Sequence, residues 1–424
     1  MHDRVRTSKR LIGETPPEFR ADGRDLRIDI CRGLALWWIF LDHVPNNIGS
    51  WLTPRNYGFC DAAEIFMFVS GVTCALAYGR ARQREGWSGT IGRSLRRGWD
   101  IYAAFLLLTL ACAVLVYLAG SDDLADESNT RVLLENPGPT LAHAAILQYR
   151  PVNTDVLPVF LMFHVLFAPL LWLLLRAPNV TLGVSFLLYA LVHAFGWSVP
   201  AWPNGVWFFN PLAWQLLFVL GAWCVIAGET IRPWVMSRTV LALAALYLAS
   251  SLVLALSWGI KPPVQQSLTA LLFPQDKSNL SPLRVLHFLA LAIVVLRLIP
   301  RNWRGLSAPA LRYARFCGEN SLPIYCLGVL LALAGHLALL DISEGLTMQI
   351  VVSIAGILMM IFVARLLNTI NNKLATAPAG APDREGRAGF LKMSGGWNSF
   401  AQERRVAISA PTSPSERKAG ATHS

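Results

Sequence analysis

A chain of 424 residues that is 54% hydrophobic and 15% charged, with a mean hydropathy of +0.44, is too apolar for an ordinary water-soluble protein and reads as a multi-spanning membrane protein. Its formal net charge of +11 does not point to nucleic acid, because the basic residues fall in short clusters between apolar runs and in the tails, as the positive-inside rule distributes them. The seven cysteines lie mostly within apolar runs and form no C-x-x-C pair, which argues against a disulfide framework and against a metal site.

Residues 1–27 hold Arg4, Arg6, Lys9, Arg10, Arg20, Arg24 and Arg27 around Pro16-Pro17, so a flexible basic cytoplasmic arm is expected, without the apolar stretch of a cleavable signal peptide. Apolar spans follow near 30–50, 61–79, 99–119, 156–175, 180–197, 207–227, 239–258, 283–299, 320–340 and 346–367. These make 28–370 an all-α, polytopic membrane domain of about ten helices. The remainder, 371–424, is rich in Ala, Gly, Pro and Ser and is expected to be a disordered cytoplasmic tail.

The joining loops alternate in charge. Arg80, Arg82, Arg84, Arg93, Arg96, Arg97, Arg176, Arg232, Arg238, Arg297, Arg301, Arg304, Arg312 and Arg315 fall on one side, against Arg55, Arg131, Arg150, Lys261 and Lys277 on the other. That asymmetry predicts both termini in the cytoplasm. The acidic loop 120–155 is then external, and its length predicts a small structure of its own.

The first span, Asp29 to His43, carries an acid and an arginine where it begins and Asp42-His43 further on. Ionisable groups in a membrane helix are costly and usually functional. The step from Arg32 to His43 makes almost three turns, so the two share a face about 16 Å apart along the axis. Asp29 joins that face one turn before Arg32, and the histidine is expected near the middle of a hydrocarbon core about 30 Å thick. The alternative is that Arg32 snorkels to headgroups and His43 only bonds a neighbouring helix.

The second span opens with Asp61 and Glu64 one turn apart, and Gly71 two turns on, which places an acidic end and a small packing surface on one face. A helix N-terminus accounts for Asp61 alone, less well for the deeper Glu64. Arg93-Ser94-Leu95-Arg96-Arg97 precedes the third span. Clustered guanidinium groups there suit the phosphates of an anionic ligand, and are equally explained as topogenic charge.

The arginine, ten intervening residues and histidine of the first span, with Phe68-Val-Ser70-Gly71 and the Arg-Ser-x-Arg element, resemble the type 3 membrane acyltransferases. Four further stretches narrow the resemblance: Asn153-Thr-Asp155-Val-Leu157-Pro158, Trp207-Phe-Phe-Asn210-Pro211 through Gln215, Arg284-Val-Leu-His287, and Gly318-Glu-Asn320-Ser321-Leu-Pro323-Ile-Tyr325. Together they are similar to the OpgC family, associated with succinylation of osmoregulated periplasmic glucans. One departure is that Gly328 stands where many type 3 acyltransferases have a second histidine.

The resemblance implies an inner-membrane acyltransferase. It would move an acyl group, succinyl by family analogy, from cytoplasmic acyl-CoA, a co-substrate and not a bound cofactor, to a periplasmic glucan hydroxyl. His43 would act as general base or as transient acyl carrier, with Asp42 or Glu64 orienting its ring. Arg32, Asp29, Arg93 and Arg96 would face the donor. Arg284 beside His287, or else Arg150, would meet the distal carboxylate of a dicarboxylic donor, with Arg284 favoured because it enters a span directly, and Asp61 and Asp155 would complete the binding groups. His164, His193 and His336 are lone residues on apolar spans and read as core groups. Trp37, Trp38, Trp197, Trp202 and Trp207 suit interfacial belts, and Trp202 or Trp207 could stack on a sugar. The rival class is a proton-coupled transporter or glucan exporter using Asp42, His43 and Glu64 as a relay. The absence of an internal repeat disfavours the transporter architectures built on repeats.

Overall fold

The computed structural model describes residues 25–257 and 276–376, and within them all regular structure is helical apart from one isolated bridge between Pro200 and Val206. The arm before residue 25 and the tail after 376 lie outside the described residues.

Helix α1 (Leu26–His43) is capped by Asp25, whose side chain accepts from the Arg27 N–H at 3.1 Å. Arg27 donates to the Ile299 carbonyl at 2.9 Å and Arg301 reaches Asp25 at 3.1 Å, which ties down this basal end. At the other, apical end, Pro45 disfavours helical geometry at Val44, which is extended. The helix therefore stops at His43, about 26 Å from Leu26. The histidine sits at the apical end of its helix.

Helix α2 (Ala62–Ala119) is one long element broken only at Gly86, whose φ of 72° takes the chain out of the helix. It contains the second and third expected spans. The stretch 80–98, expected as a loop, is helical on both sides of Gly86 despite four glycines. The following segment does fold on its own account, into α3 (Asp122–Glu127), α4 (Arg131–Glu135) and α5 (Pro137–Ala145). Tyr149 Oη donates to the Asn129 carbonyl at 2.6 Å and Trp202 stacks on His143 with ring centroids 4.5 Å apart.

The span expected at 156–175 is two helices, α6 (Val156–Val165) and α7 (Phe167–Arg176), bent by 56°. Pro169 explains the break, since its ring clashes with the carbonyl four residues back and it has no N–H to give. The chain continues through α8 (Pro178–Phe195), α9 (Pro211–Ala227), α10 (Arg232–Val235), α11 (Arg238–Ser257), α12 (Pro282–Leu298), α13 (Pro309–Glu319), α14 (Ser321–Asp341) and α15 (Leu346–Thr376).

Among the described residues, six helices are long and apolar enough to cross a membrane, or seven when the bent α6–α7 pair counts as one span. The chain is a membrane protein. Helix α1 is not among the six because it carries Arg27, Asp29, Arg32 and Asp42, and α12 has only 17 residues.

At two crossings the helix backbones touch, and only glycine fits. A side chain at Gly71 would overlap the Phe218 carbonyl and one at Gly221 the Phe68 carbonyl, where α2 meets α9. Gly33 against Ala314 and Gly318 against Asp29 do the same for α1 and α13. Helices α1, α2 and α14 pack against one another, and α6 packs on α2.

Candidate active site

A cavity of about 810 Å³ opens among the apical ends of these helices. Asp42 and His43 line it from α1, Arg55 from the following loop, Asp61 and Phe66 from α2, Asp155 from the turn into α6, and Tyr325 and His336 from α14. Glu127 and Ser128 reach it from the folded 120–155 segment, and Lys277 and Arg284 from the chain around the start of α12. His336 Nε2 lies 3.0 Å from Glu127, so the segment is fastened across the rim. Further out on that segment, the Arg131 guanidinium bonded to Asp126 holds this carboxyl below its usual range.

His43 Nδ1 is buried, and among the described residues it has no hydrogen-bond partner. Neither expected carboxylate orients the ring. Asp42 accepts from Thr53 Oγ1 at 2.7 Å. Glu64, wholly buried, accepts from Arg284 Nε at 2.6 Å and, through its other oxygen, from the Asp61 N–H at 2.9 Å. Asp61 accepts from Ala63 N–H at 2.8 Å, from Lys277 Nζ at 2.7 Å and from Arg284 Nη2 at 3.1 Å. The two acids thus form the capping box of α2 and also neutralise two cations. His287 does not line the cavity. Its Nδ1 is 2.9 Å from Cys60 Sγ and its ring packs edge-on to Phe59.

Asp155 is bonded by Arg150 Nε at 3.2 Å, and the Arg150 guanidinium lies over the Trp207 ring at 4.8 Å. Trp207 is therefore occupied and buried, as Trp202 is stacked on His143. Among the described residues, the exposed aromatic residues lining the cavity are Trp51 and Phe208.

A second, small cavity of about 40 Å³ lies toward the basal side, lined by Arg32, Ser70, Arg97, His164 and Ser321. Arg32 Nη2 donates to Ser321 Oγ. Arg97 is buried, 3.9 Å from Asp100, and among the described residues its Nε has no hydrogen-bond partner. His164 is held through Nδ1 at 2.8 Å from the Phe160 carbonyl and Nε2 at 3.5 Å from Cys74 Sγ, as a core histidine would be. Arg93 and Arg96 line neither cavity: Arg93 pairs with Glu85 near the surface and Arg96 is exposed. The arginine of that run which enters the interior is Arg97, which sequence reasoning passed over. Its signal was the three- and four-residue spacing of Ser94, Arg97, Ile101 and Phe105, all buried on one face of α2.

Three side chains, Phe66, Val156 and Tyr325, line both cavities and form the wall between them. Tyr325 Oη donates to the Asn153 carbonyl at 2.5 Å, which fixes it. Arg32 and His43, on one face of α1, stand on opposite sides of this wall.

The family model of the OpgC protein matches residues 24–372, most of the chain, and the chain belongs to that family. No curated protein and no solved structure matches it significantly.

Proposed function

We propose that this chain is an acyltransferase of the cytoplasmic membrane that carries a succinyl group from cytoplasmic acyl-CoA to a hydroxyl of a periplasmic glucan. The observation that carries the reading is the pair of cavities set end to end behind one thin wall. The apical one has the volume of a small-molecule site and is rimmed by Trp51 and Phe208, which suits a sugar. The basal one has room for little more than a water and is flanked by Arg32 and Arg97, which suits the end of an anionic donor.

In this reading the acceptor hydroxyl lies in the apical cavity beside His43. The imidazole takes its proton, the oxygen attacks the thioester carbonyl, the C–S bond breaks and the proton returns to the leaving sulfur. Only the acyl group passes Phe66, Val156 and Tyr325. A glucan exporter would need a passage wide enough for sugars, and the wall and the small basal cavity speak against one. The charge pattern supports both termini in the cytoplasm and the 120–155 segment outside. With α1, both parts of α2, the α6–α7 pair and α12 counted as crossings, ten spans result.

Mass spectrometry of periplasmic glucans from cells with and without the gene tests the function. Loss of the succinyl increment on deletion is expected. Unchanged substitution would sink the reading, and unsubstituted glucan trapped in the cytoplasm would favour export.

A further inference from the structure

Among the described residues, three side-chain cations line the apical cavity, and two are already matched by protein carboxylates. Arg284 bonds Glu64 and Asp61, and Lys277 bonds Asp61. The third is Arg55. It is exposed on the cavity, and among the described residues no carboxylate pairs with its guanidinium.

The loop that presents Arg55 is closely tied to the histidine. Thr53 Oγ1 bonds both Asp42 Oδ1 and the Ser50 carbonyl at 2.7 Å, Asn56 Nδ2 donates to the same carbonyl at 2.8 Å, and Tyr57 Oη donates to the Trp51 carbonyl at 2.6 Å. Asp42, the residue before His43, thereby fixes the distance between the imidazole and the turn that carries Arg55.

An acyl group whose sulfur stays on the basal side enters the apical cavity tail first. With its carbonyl at His43, the far end of the acyl chain lies beyond the histidine, toward the apical rim. In a four-carbon dicarboxylic acyl group that end is a carboxylate about 4 Å from the reacting carbonyl, given C–C bonds near 1.5 Å. A carboxylate moved into such a site without a cation is strongly disfavoured, and a guanidinium can receive it through two parallel hydrogen bonds.

Resting on the acyl-transfer reading above, we infer that Arg55 receives the distal carboxylate of a dicarboxylic acyl group and so sets the preference for such donors over neutral ones. Arg55 exchanges no atom in the reaction: the C–S bond breaks, the C–O bond forms, and the proton travels by way of His43. Asp42, through Thr53, is a positioning residue for this site.

The test uses the full chain purified in detergent, with succinyl and butyryl thioesters of coenzyme A and a glucan acceptor. Arg55→Gln should lower kcat/KM for succinyl at least tenfold and leave butyryl transfer unchanged or faster, and Arg55→Lys, which keeps the charge but loses the second parallel bond, should recover part of the succinyl rate. Where butyryl is turned over by neither protein, the lysine variant decides. Succinyl transfer by Arg55→Gln within threefold of the parent overturns the inference. So does equal loss of both donors, or an Arg55→Lys variant as poor as Arg55→Gln. A parent protein that transfers no acyl group from either thioester defeats the acyl-transfer reading itself, and this inference with it.

Discussion

Arg284 Nε donates to Glu64 Oε1 at 2.6 Å across 220 positions of sequence, and so joins the start of α12 to the first turn of α2. Both side chains are buried, and Asp61 completes the cluster. Breaking such a pair from one side leaves an uncompensated buried charge, worth about 3–5 kcal/mol. Arg284→Gln is therefore expected to lower the melting temperature in detergent and to reduce transfer of every acyl donor alike. A double variant, Glu64→Gln with Arg284→Gln, should recover part of the loss, because neither charge is then stranded. Selective loss of succinyl transfer by a fully stable Arg284→Gln protein would return Arg284 to the role of donor ligand.

His43→Ala should abolish glucan substitution while the protein remains folded in the membrane. The ring lines the cavity and bonds no other described group through Nδ1, so little packing depends on it. Loss of a general base costs on the order of a hundred- to ten-thousandfold in rate. Near-normal substitution by a well-expressed His43→Ala variant, read by mass spectrometry, would remove the histidine from the mechanism.

How much of this was legible beforehand follows from the range over which each feature is determined. The common face of Arg32 and His43 and the acidic start of α2 are local, set by helical period, and both are found as read. The break at Leu166 was there to be read in Pro169, and the end of α1 in Pro45, but hydropathy averages over both. The partners of Glu64 and Arg284 depend on how distant helices pack and leave no local trace. Asp42 was expected to serve its sequence neighbour, yet successive residues on a helix point in different directions, and its side chain reaches Thr53 instead. Arg55 entered only as an outside charge, because a loop residue has no period from which to read what it faces.

Topology can be checked by cysteine labelling on a background without native cysteines. Asp123 and Ser88 are both exposed, whereas Thr90, in the same stretch as Ser88, is fully buried and would be silent from either side. A membrane-impermeant thiol reagent added from the periplasm should label Asp123→Cys and spare Ser88→Cys. The reverse pattern would invert the orientation, and with it the assignment of donor and acceptor sides.

The donor side makes the sharpest distinction between adjacent residues. Arg96 and Arg97 are equivalent in composition and in topogenic charge, but one is exposed and the other lines the basal cavity with Arg32. If the cluster served only to orient the chain, Arg96→Gln and Arg97→Gln would behave alike. If the basal cavity receives the end of the donor, Arg97→Gln should raise the KM for succinyl-CoA about tenfold or more, as expected for a charge-assisted hydrogen bond worth roughly 1.5–3 kcal/mol. Arg96→Gln should stay within about threefold of the parent. Because Arg97 is buried, its removal could also loosen α2, so melting temperature is measured alongside. Arg97→Lys separates the two effects: it keeps the charge but loses the planar fork, and should recover stability more fully than donor affinity. Equal kinetics in the Arg96 and Arg97 variants would leave the basal cavity without a part in donor binding.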